Sequence, residues 1–243
     1  MQEVFLAVTD NRPLTKDVYE MTLQGDLSAI RAPGQFVNLR VEGCYLRRPL
    51  SVCDREGDRL TLIYRVVGKG TEILSGMKPG TKINTLTGLG NGFSPERGGE
   101  RPLLVGGGVG VPPLYYLCRE LLMAGARPTV LLGFNTACEV FYEEKFRALG
   151  AAVTVLTADG TYGGKGFVTD ALPGLSYTYF YACGPMPMFR ALNAAAKTPG
   201  EYSFEERMGC GFGACMGCSC QTKSGPKRIC VEGPVLRSEE VIW

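Results

Sequence analysis

The sequence predicts an all-β unit, an α/β unit and a small C-terminal appendage. These are an antiparallel β-barrel over residues 1–100, a Rossmann-like parallel α/β domain over 101–199 and an irregular segment over 200–243. Three observations carry this prediction. Short β-like runs recur from Val4 to about Glu100 with Pro and Gly turns between them, as in a small barrel or sandwich. From Arg101, strand-like and helix-like runs alternate, as crossover helices on a parallel sheet require. After Pro199 the chain turns irregular, rich in Cys and Gly, and cannot build a core unaided.

In the barrel, strands are expected in VFLAVTD, VYEMTLQG, QFVNLRV, RLTLIYRVV and KINTLTG. In the α/β unit the order is strand RPLLVGGG, helix PPLYYLCRELLMAG, strand PTVLLGF, helix VFYEEKFRAL and strand AVTVLTAD, then strand YTYFYACG and helix MPMFRALNAAA. The closing stretch VEGPVLRSEEVIW is expected to pack back on the body, with Trp243, the only Trp, as a packing anchor.

The 243 residues, 45% of them hydrophobic, suffice for two small cores and an appendage. A formal charge of +2, with both signs interspersed, gives no electrostatic case for nucleic acid or an anionic membrane as partner. The start MQEVFLAVTDNRPL lacks the basic segment and apolar run of a signal peptide. The longest apolar stretch, Pro102 to Cys118, is too short and too rich in Gly and Pro to span a bilayer. A cytoplasmic protein is expected. Cys44, Cys53, Cys118, Cys138, Cys183 and Cys220 are scattered, as reduced, mostly buried thiols would be. The chain has no histidine, which removes the commonest general base and any His-ligated metal, so its chemistry must come from a cofactor.

Cys210, Cys215, Cys218 and Cys230 are spaced C-x4-C-x2-C-x11-C among Gly209, Gly211, Gly213 and Gly217. The opening C-x4-C-x2-C is the run that wraps a [2Fe–2S] cluster in plant-type ferredoxins. Such a cluster with four thiolates carries a charge of about −2, or about −3 when reduced, so its loop must aim donors at the sulfurs. Glycines let backbone N–H groups approach closely. Arg207, Lys223, Lys227 and Arg228 flank the set and offer compensating charge. A structural zinc site is the competing assignment, though zinc prefers C-x2-C pairs and has no need of the four-residue first gap. Cys220 is an alternative ligand to Cys218, or a buried spectator.

Two further patterns bind cofactors. In the barrel, Arg48, Pro49, Leu50 and Ser51 follow a strand and turn, and Gly68-Lys69-Gly70-Thr71 precedes the helical stretch EILSGM. Singly these read as a solvated strand edge and an ordinary N-cap. Jointly they suit a flavin: the Arg48 guanidinium for pyrophosphate, the Ser51 hydroxyl for the isoalloxazine edge, and the Gly70 and Thr71 amides at a helix start. Ile63, Tyr64 and Arg65 lie between and are candidates to line ring and ribose. In the α/β unit, Gly107, Gly108 and Gly110 of GGGVGVPP join a strand to a helix, and Cys183, Gly184 and Pro185 of CGPMPM end another strand. The carboxyl ends of strands in an open α/β sheet are where ligands bind, so both loops should line one crevice for a dinucleotide. Cys183 is either a thiol packed against a nicotinamide or a buried strand-end cysteine. The strand end Leu131 to Thr136 offers no nearby Arg for a 2′-phosphate, which favours NAD over NADP.

With RPLS and GT in a barrel followed by GGGVGVPPL and CGPMPM in a nucleotide domain, the chain resembles the ferredoxin–NADP reductase superfamily. Its tail, ERMGCGFGACMGCSC followed by ICVEGPVL, is similar to the branch that serves NAD-dependent dihydroorotate dehydrogenases. The resemblance spans essentially the whole chain. It implies FAD on Arg48–Ser51, Ile63–Arg65, Gly70 and Thr71, a [2Fe–2S] cluster on the four cysteines, and NAD on the two glycine loops. It further implies an electron-transfer subunit in pyrimidine biosynthesis, partnered in a heterotetramer with a catalytic FMN subunit, with no protein acid or base assigned here. The gap from Cys218 to Cys230 is short for this branch. Two alternatives remain at this point: a flavin and iron–sulfur subunit of another NAD(P)H oxidoreductase complex, and a zinc-stapled redox-sensing or interaction module.

Overall fold

Alternating apolar and polar residues send one face of each early strand inward, and six strands close on that face. In the computed structural model, which describes residues 1–243, β1 (Gln2–Pro13), β2 (Val18–Gln24), β3 (Phe36–Leu39), β4 (Arg48–Glu56), β5 (Arg59–Arg65) and β6 (Lys82–Leu89) form a closed antiparallel barrel. Its strand order is β1-β2-β5-β4-β3-β6. Leu6, Met21, Leu23, Val37, Leu39 and Leu62 fill it. The helix α1 (Lys69–Ser75) adds Leu74 to this core. Asn11 Nδ2 holds the helix end by donating to the Leu74, Ser75 and Met77 carbonyls at 2.9, 3.2 and 3.1 Å. The run RPLSVCDRE, not anticipated as a full strand, is β4. Its register shifts between Val52 and Asp54, which buries Val52 and Cys53 in succession and breaks the period-two pattern.

The second unit runs β7 (Leu103–Gly107), α2 (Pro112–Met123), β8 (Thr129–Phe134), α3 (Glu143–Leu149), β9 (Ala152–Thr157), β10 (Gly164–Lys165), β11 (Phe180–Cys183), α4 (Met186–Ala195) and β12 (Gly200–Ser203). These strands are parallel in the order β10-β9-β8-β7-β11-β12. The expected break after residue 199 therefore needs correction, because β12 completes the nucleotide sheet. Pro199 and Gly200 look like breakers, yet Gly200 through Ser203 are all buried and pair in register with β11.

The rest of the chain forms the hairpin β13 (Ser219–Thr222) and β14 (Gly225–Arg228), then β15 (Val235–Arg237), which adds antiparallel to β12. As expected, the C-terminal stretch packs back on the body, and Trp243 meets Tyr202 edge-on with ring centroids 4.9 Å apart. Asn91, just past the barrel, locks this return. Its N–H donates to Gly233 O at 2.7 Å, its Nδ2 to Glu232 O and Val235 O, and its Oδ1 accepts from Val235 N–H at 3.1 Å. Glu240 pairs with Lys227 at 2.7 Å, tying the last turn to the hairpin. Partial burial opposes its ionisation, but Lys227 and Arg237 outweigh that and hold its carboxyl at about 2.

Polar ties join barrel and nucleotide domain at two places. Arg119 of α2 meets Asp54 of β4 at 2.6 Å. Tyr142 donates to the buried Glu20 carboxylate at 2.7 Å while Arg12 donates to its other oxygen at 2.6 Å. Tyr142 reaches Glu20 from a left-handed backbone conformation, φ 67, rare for a residue with a side chain. No helix is long and apolar enough to cross a membrane. Tyr142→Phe should lower stability by about 1–3 kcal/mol, because Glu20 then has one buried oxygen without its donor. Thermal unfolding of the variant beside wild type measures this.

Candidate functional site

The C-terminal cysteines stand as two pairs. Cys215 N–H and Ala214 N–H point at Cys210 Sγ at 3.4 and 3.2 Å, and Cys210 N–H points at Cys215 Sγ at 3.5 Å. Cys230 N–H points at Cys218 Sγ at 3.4 Å. None of the four is in a disulfide. Burial works against ionising Cys210, yet the amides of Phe212, Cys215 and Ala214 and the neighbouring Cys215 lower its thiol to about 6. Cys230 is pushed the other way by burial and by Cys218 beside it. Amides aimed at sulfur, and thiols too close to ionise together unaided, fit a cationic centre held by thiolates. Two pairs suit a [2Fe–2S] cluster, in which each iron takes two protein sulfurs.

The loop needs its glycines. Gly211 and Gly213 have φ of +77 and +92, and a Cβ on Gly209 would sit 3.2 Å from Cys215 Sγ. Of the expected compensating cations, Arg228 is spent on Glu232 and on the Gly213 carbonyl, and Lys227 on Glu240. Cys220 lies on β13 and makes no bond to the two pairs. Met208 is half-buried, while Phe212 and Met216 are exposed.

In the barrel, Arg48 lies across the first turn of α1, so that a Cβ on Gly70 would collide with its guanidinium. This cradle, closed by glycine and topped by a cation, fits a pyrophosphate. Arg48, Pro49, Leu50 and Ser51 are all half-buried on β4, with Leu50 leaning into the barrel core. Three expected contacts change character. Tyr64 points inward, 2% exposed, and donates to Asn11 Oδ1 at 3.0 Å, so its ring is not offered to a ligand. Ile63 faces out but is buried in the core shared with the nucleotide domain. Thr71 lies within α1 rather than before it, and its hydroxyl is used by its own turn, accepting from Val67 N–H at 2.9 Å and donating to Gly68 O at 3.0 Å. Arg65 keeps its outward position, with Nε 3.2 Å from Asp17.

The two glycine loops converge. β7 and β11 are adjacent with Gly106 opposite Cys183, and a Cβ on Gly110 would strike the Cys183 carbonyl. A Cβ on Gly184 would lie 3.2 Å from Gly107 N. Glycine backbone and the Met188 and Pro185 side chains form this side of the crevice, and the glycines allow the close approach that a dinucleotide pyrophosphate requires. Burial pushes the Cys183 thiol up to about 12 despite the neighbouring Ser203 hydroxyl, so it packs as a neutral thiol.

Two turns that sequence alone does not mark out follow the carboxyl ends of the neighbouring strands β8 and β9. Asp159 accepts from Thr161 N–H at 3.0 Å and from its hydroxyl at 2.7 Å. Thr161 in turn accepts from Ala137 N–H at 2.9 Å. Glu139 caps the Asn135 amide. Loops 135–142 and 158–163 thus carry two carboxylates and no Lys or Arg. Phe167 follows β10 and is 67% exposed. The available signal was position alone, since both loops follow the carboxyl ends of parallel strands.

A flavin barrel, a dinucleotide sheet and a thiolate loop define a flavin reductase of the ferredoxin–NADP reductase type with an iron–sulfur appendage. Residues 104–194 match the model of an oxidoreductase NAD-binding domain, and residues 205–242 match the iron–sulfur cluster binding domain of dihydroorotate dehydrogenase B. The dihydroorotate dehydrogenase B (NAD(+)) electron transfer subunit of Bacillus cereus (strain 03BB102) is 45% identical over 100% of this chain and 99% of its own length. That of Bacillus pumilus (strain SAFR-032) is 44% identical over 99% and 98%. The chain belongs to this family of electron transfer subunits. Among solved structures, the NADH-dependent reduced ferredoxin–NADP oxidoreductase superposes with a TM-score of 0.89 at 30% identity, covering 99% of this chain and 90% of that one. A ferredoxin–NADP+ reductase from Neisseria gonorrhoeae shares the fold, with a TM-score of 0.70 at 17% identity over 84% of this chain and all of that one.

Arg48→Ala should weaken FAD binding by about 1.5–3 kcal/mol, tenfold or more, as read by FAD retention on dilution. Gly110→Ala should raise KM for NADH about tenfold, or about 1.4 kcal/mol, while FAD content stays at the wild-type level.

Proposed function

We propose that the chain passes electrons, released when a partner catalytic subunit oxidises dihydroorotate at its own FMN, to NAD+. The single observation that carries this reading is the pairing of four thiols on a loop packed against the barrel that holds the flavin cradle. When bound, the cluster supplies single-electron transfer and the flavin joins it to hydride transfer with NAD+. The polypeptide binds and orients. Cys210, Cys215, Cys218 and Cys230 would hold the cluster, Arg48 with Gly70 the flavin pyrophosphate, and Pro49 to Ser51 with the Ile63–Arg65 main chain the ring. Gly107, Gly108 and Gly110 would hold the dinucleotide against Cys183, Gly184 and Pro185, and Cys183 would exclude water from the nicotinamide side. With no histidine in the chain and no carboxylate, Lys or Arg on the two glycine loops, positioning is what the protein contributes.

Asp159 and Glu139 would face the adenosine ribose and repel a 2′-phosphate, which supports NAD over NADP. The partner is expected as two copies with two of this chain, in the cytoplasm. The relatives at 45% identity favour this reading over service in another NAD(P)H complex.

The isolated chain should oxidise NADH with ferricyanide and should not reduce NAD+ with dihydroorotate until the partner is added. Dihydroorotate turnover by this chain alone would sink the proposal. NADH should be preferred to NADPH, and Asp159→Arg should move the ratio of their kcat/KM values toward NADPH by about tenfold or more.

A further inference from the structure

Strands β3 and β4 pair so that Asn38 stands opposite Pro49 and Phe36 opposite Ser51, while β3 and β6 pair Asn38 with Leu86. Val37 and Leu39 fill the barrel, so Phe36, Asn38, Pro49, Ser51 and Leu86 lie on its outer face. The cysteine segment covers that face: Cys218, Ile229 and Cys230 share one core with Phe36, Leu86 and Leu89. The flavin strand and the cluster loop are therefore neighbours on one surface, with β3 between them.

Asn38 is the polar residue at this junction, 1% exposed. Its Nδ2 donates to the carbonyl of Cys210 at 3.1 Å. A carbonyl only accepts, so chemistry fixes the orientation of the amide. Its own carbonyl accepts from Arg47 Nη1 at 3.3 Å, and Arg47 is itself held by Asn84 Oδ1 at 2.6 Å. Its Oδ1 is buried with no donor from the protein. A Cβ on Gly211 would overlap Asn38 Nδ2, so the loop can approach this closely only at glycine.

The consequence follows from peptide planarity. In a trans peptide, C=O and N–H point in opposite directions, so anchoring the Cys210 carbonyl on the barrel turns the Gly211 N–H away from it and fixes the start of a loop whose Ala214 and Cys215 N–H groups point at Cys210 Sγ. Resting on the electron-transfer reading above, we propose that Asn38 is a positioning residue for the cluster. Through the Cys210 carbonyl it fixes the loop whose Ala214 and Cys215 N–H groups point at Cys210 Sγ, and keeps the first ligand in register with the flavin strand. Outer-sphere donors of this kind stabilise the more negative, reduced cluster.

The test compares wild type with Asn38→Leu, which keeps the volume but removes the donor, and Asn38→Gln, which keeps an amide. The readouts are the cluster's midpoint potential and electron paramagnetic resonance spectrum, and the rate of iron release to a chelator. Asn38→Leu should shift the potential to more negative values and speed iron release about tenfold or more, with Asn38→Gln closer to wild type on both. Values for Asn38→Leu equal to wild type would overturn the proposal, as would equal loss in both variants, which marks packing alone. If Asn38→Leu does not fold, Asn38→Asp, similar in shape without an N–H, replaces it in the same comparison. Wild-type protein without iron would count against the functional reading instead.

Discussion

The outer face of β3 and β6 constrains the rest of the molecule. Phe36, Leu86 and Leu89 point away from the barrel interior, and an apolar stripe of that kind must be covered. Ile229, Cys218 and Cys230 belong to the same buried cluster, so the burial that closes the barrel's flank also seats the cluster loop. Because β4 lies beside β3, the RPLS strand is brought next to that loop without any dedicated linker. Flavin and cluster proximity thus follows from strand order and side-chain parity.

The C-terminal segment also ties the two larger units together. It leaves the nucleotide sheet at β12, crosses the barrel flank and returns as β15 on the same sheet, passing Asn91 on the way. Asn91 satisfies four backbone groups of that return, which would otherwise be unpaired next to the barrel exit. On the opposite side, Glu20–Tyr142 and Asp54–Arg119 fix the barrel against α2 and the β8–α3 loop. The dinucleotide crevice therefore opens on a frame braced from both sides.

Much of this was legible in the sequence because its signals are local. The C-x4-C-x2-C spacing, the glycines at strand ends and the change from barrel to alternating texture each need only neighbouring residues to be read. Side-chain direction was less legible. Tyr64 and Thr71 sit inside matching motifs, yet one points into the barrel and the other caps its own turn, outcomes set by strand parity and helix start. The strand Gly200–Ser203 was hidden by its Pro-Gly approach, and β4 by a bulge at Val52. Asn38, Asp159 and Phe167 carried no motif at all. Their places come from pairing across β3, β4 and β6 and from the carboxyl edge of the parallel sheet, relations that appear only once the chain has folded.

The most direct test of the central claim is an anaerobic titration of the iron-replete, FAD-loaded chain with NADH, followed by low-temperature electron paramagnetic resonance. Electron passage between dinucleotide and cluster through this one polypeptide predicts that NADH alone raises the signal of a reduced [2Fe–2S] cluster, with about two irons counted per chain. Bleaching of the flavin with no cluster signal at any NADH concentration, although dithionite reduces the cluster, would contradict it.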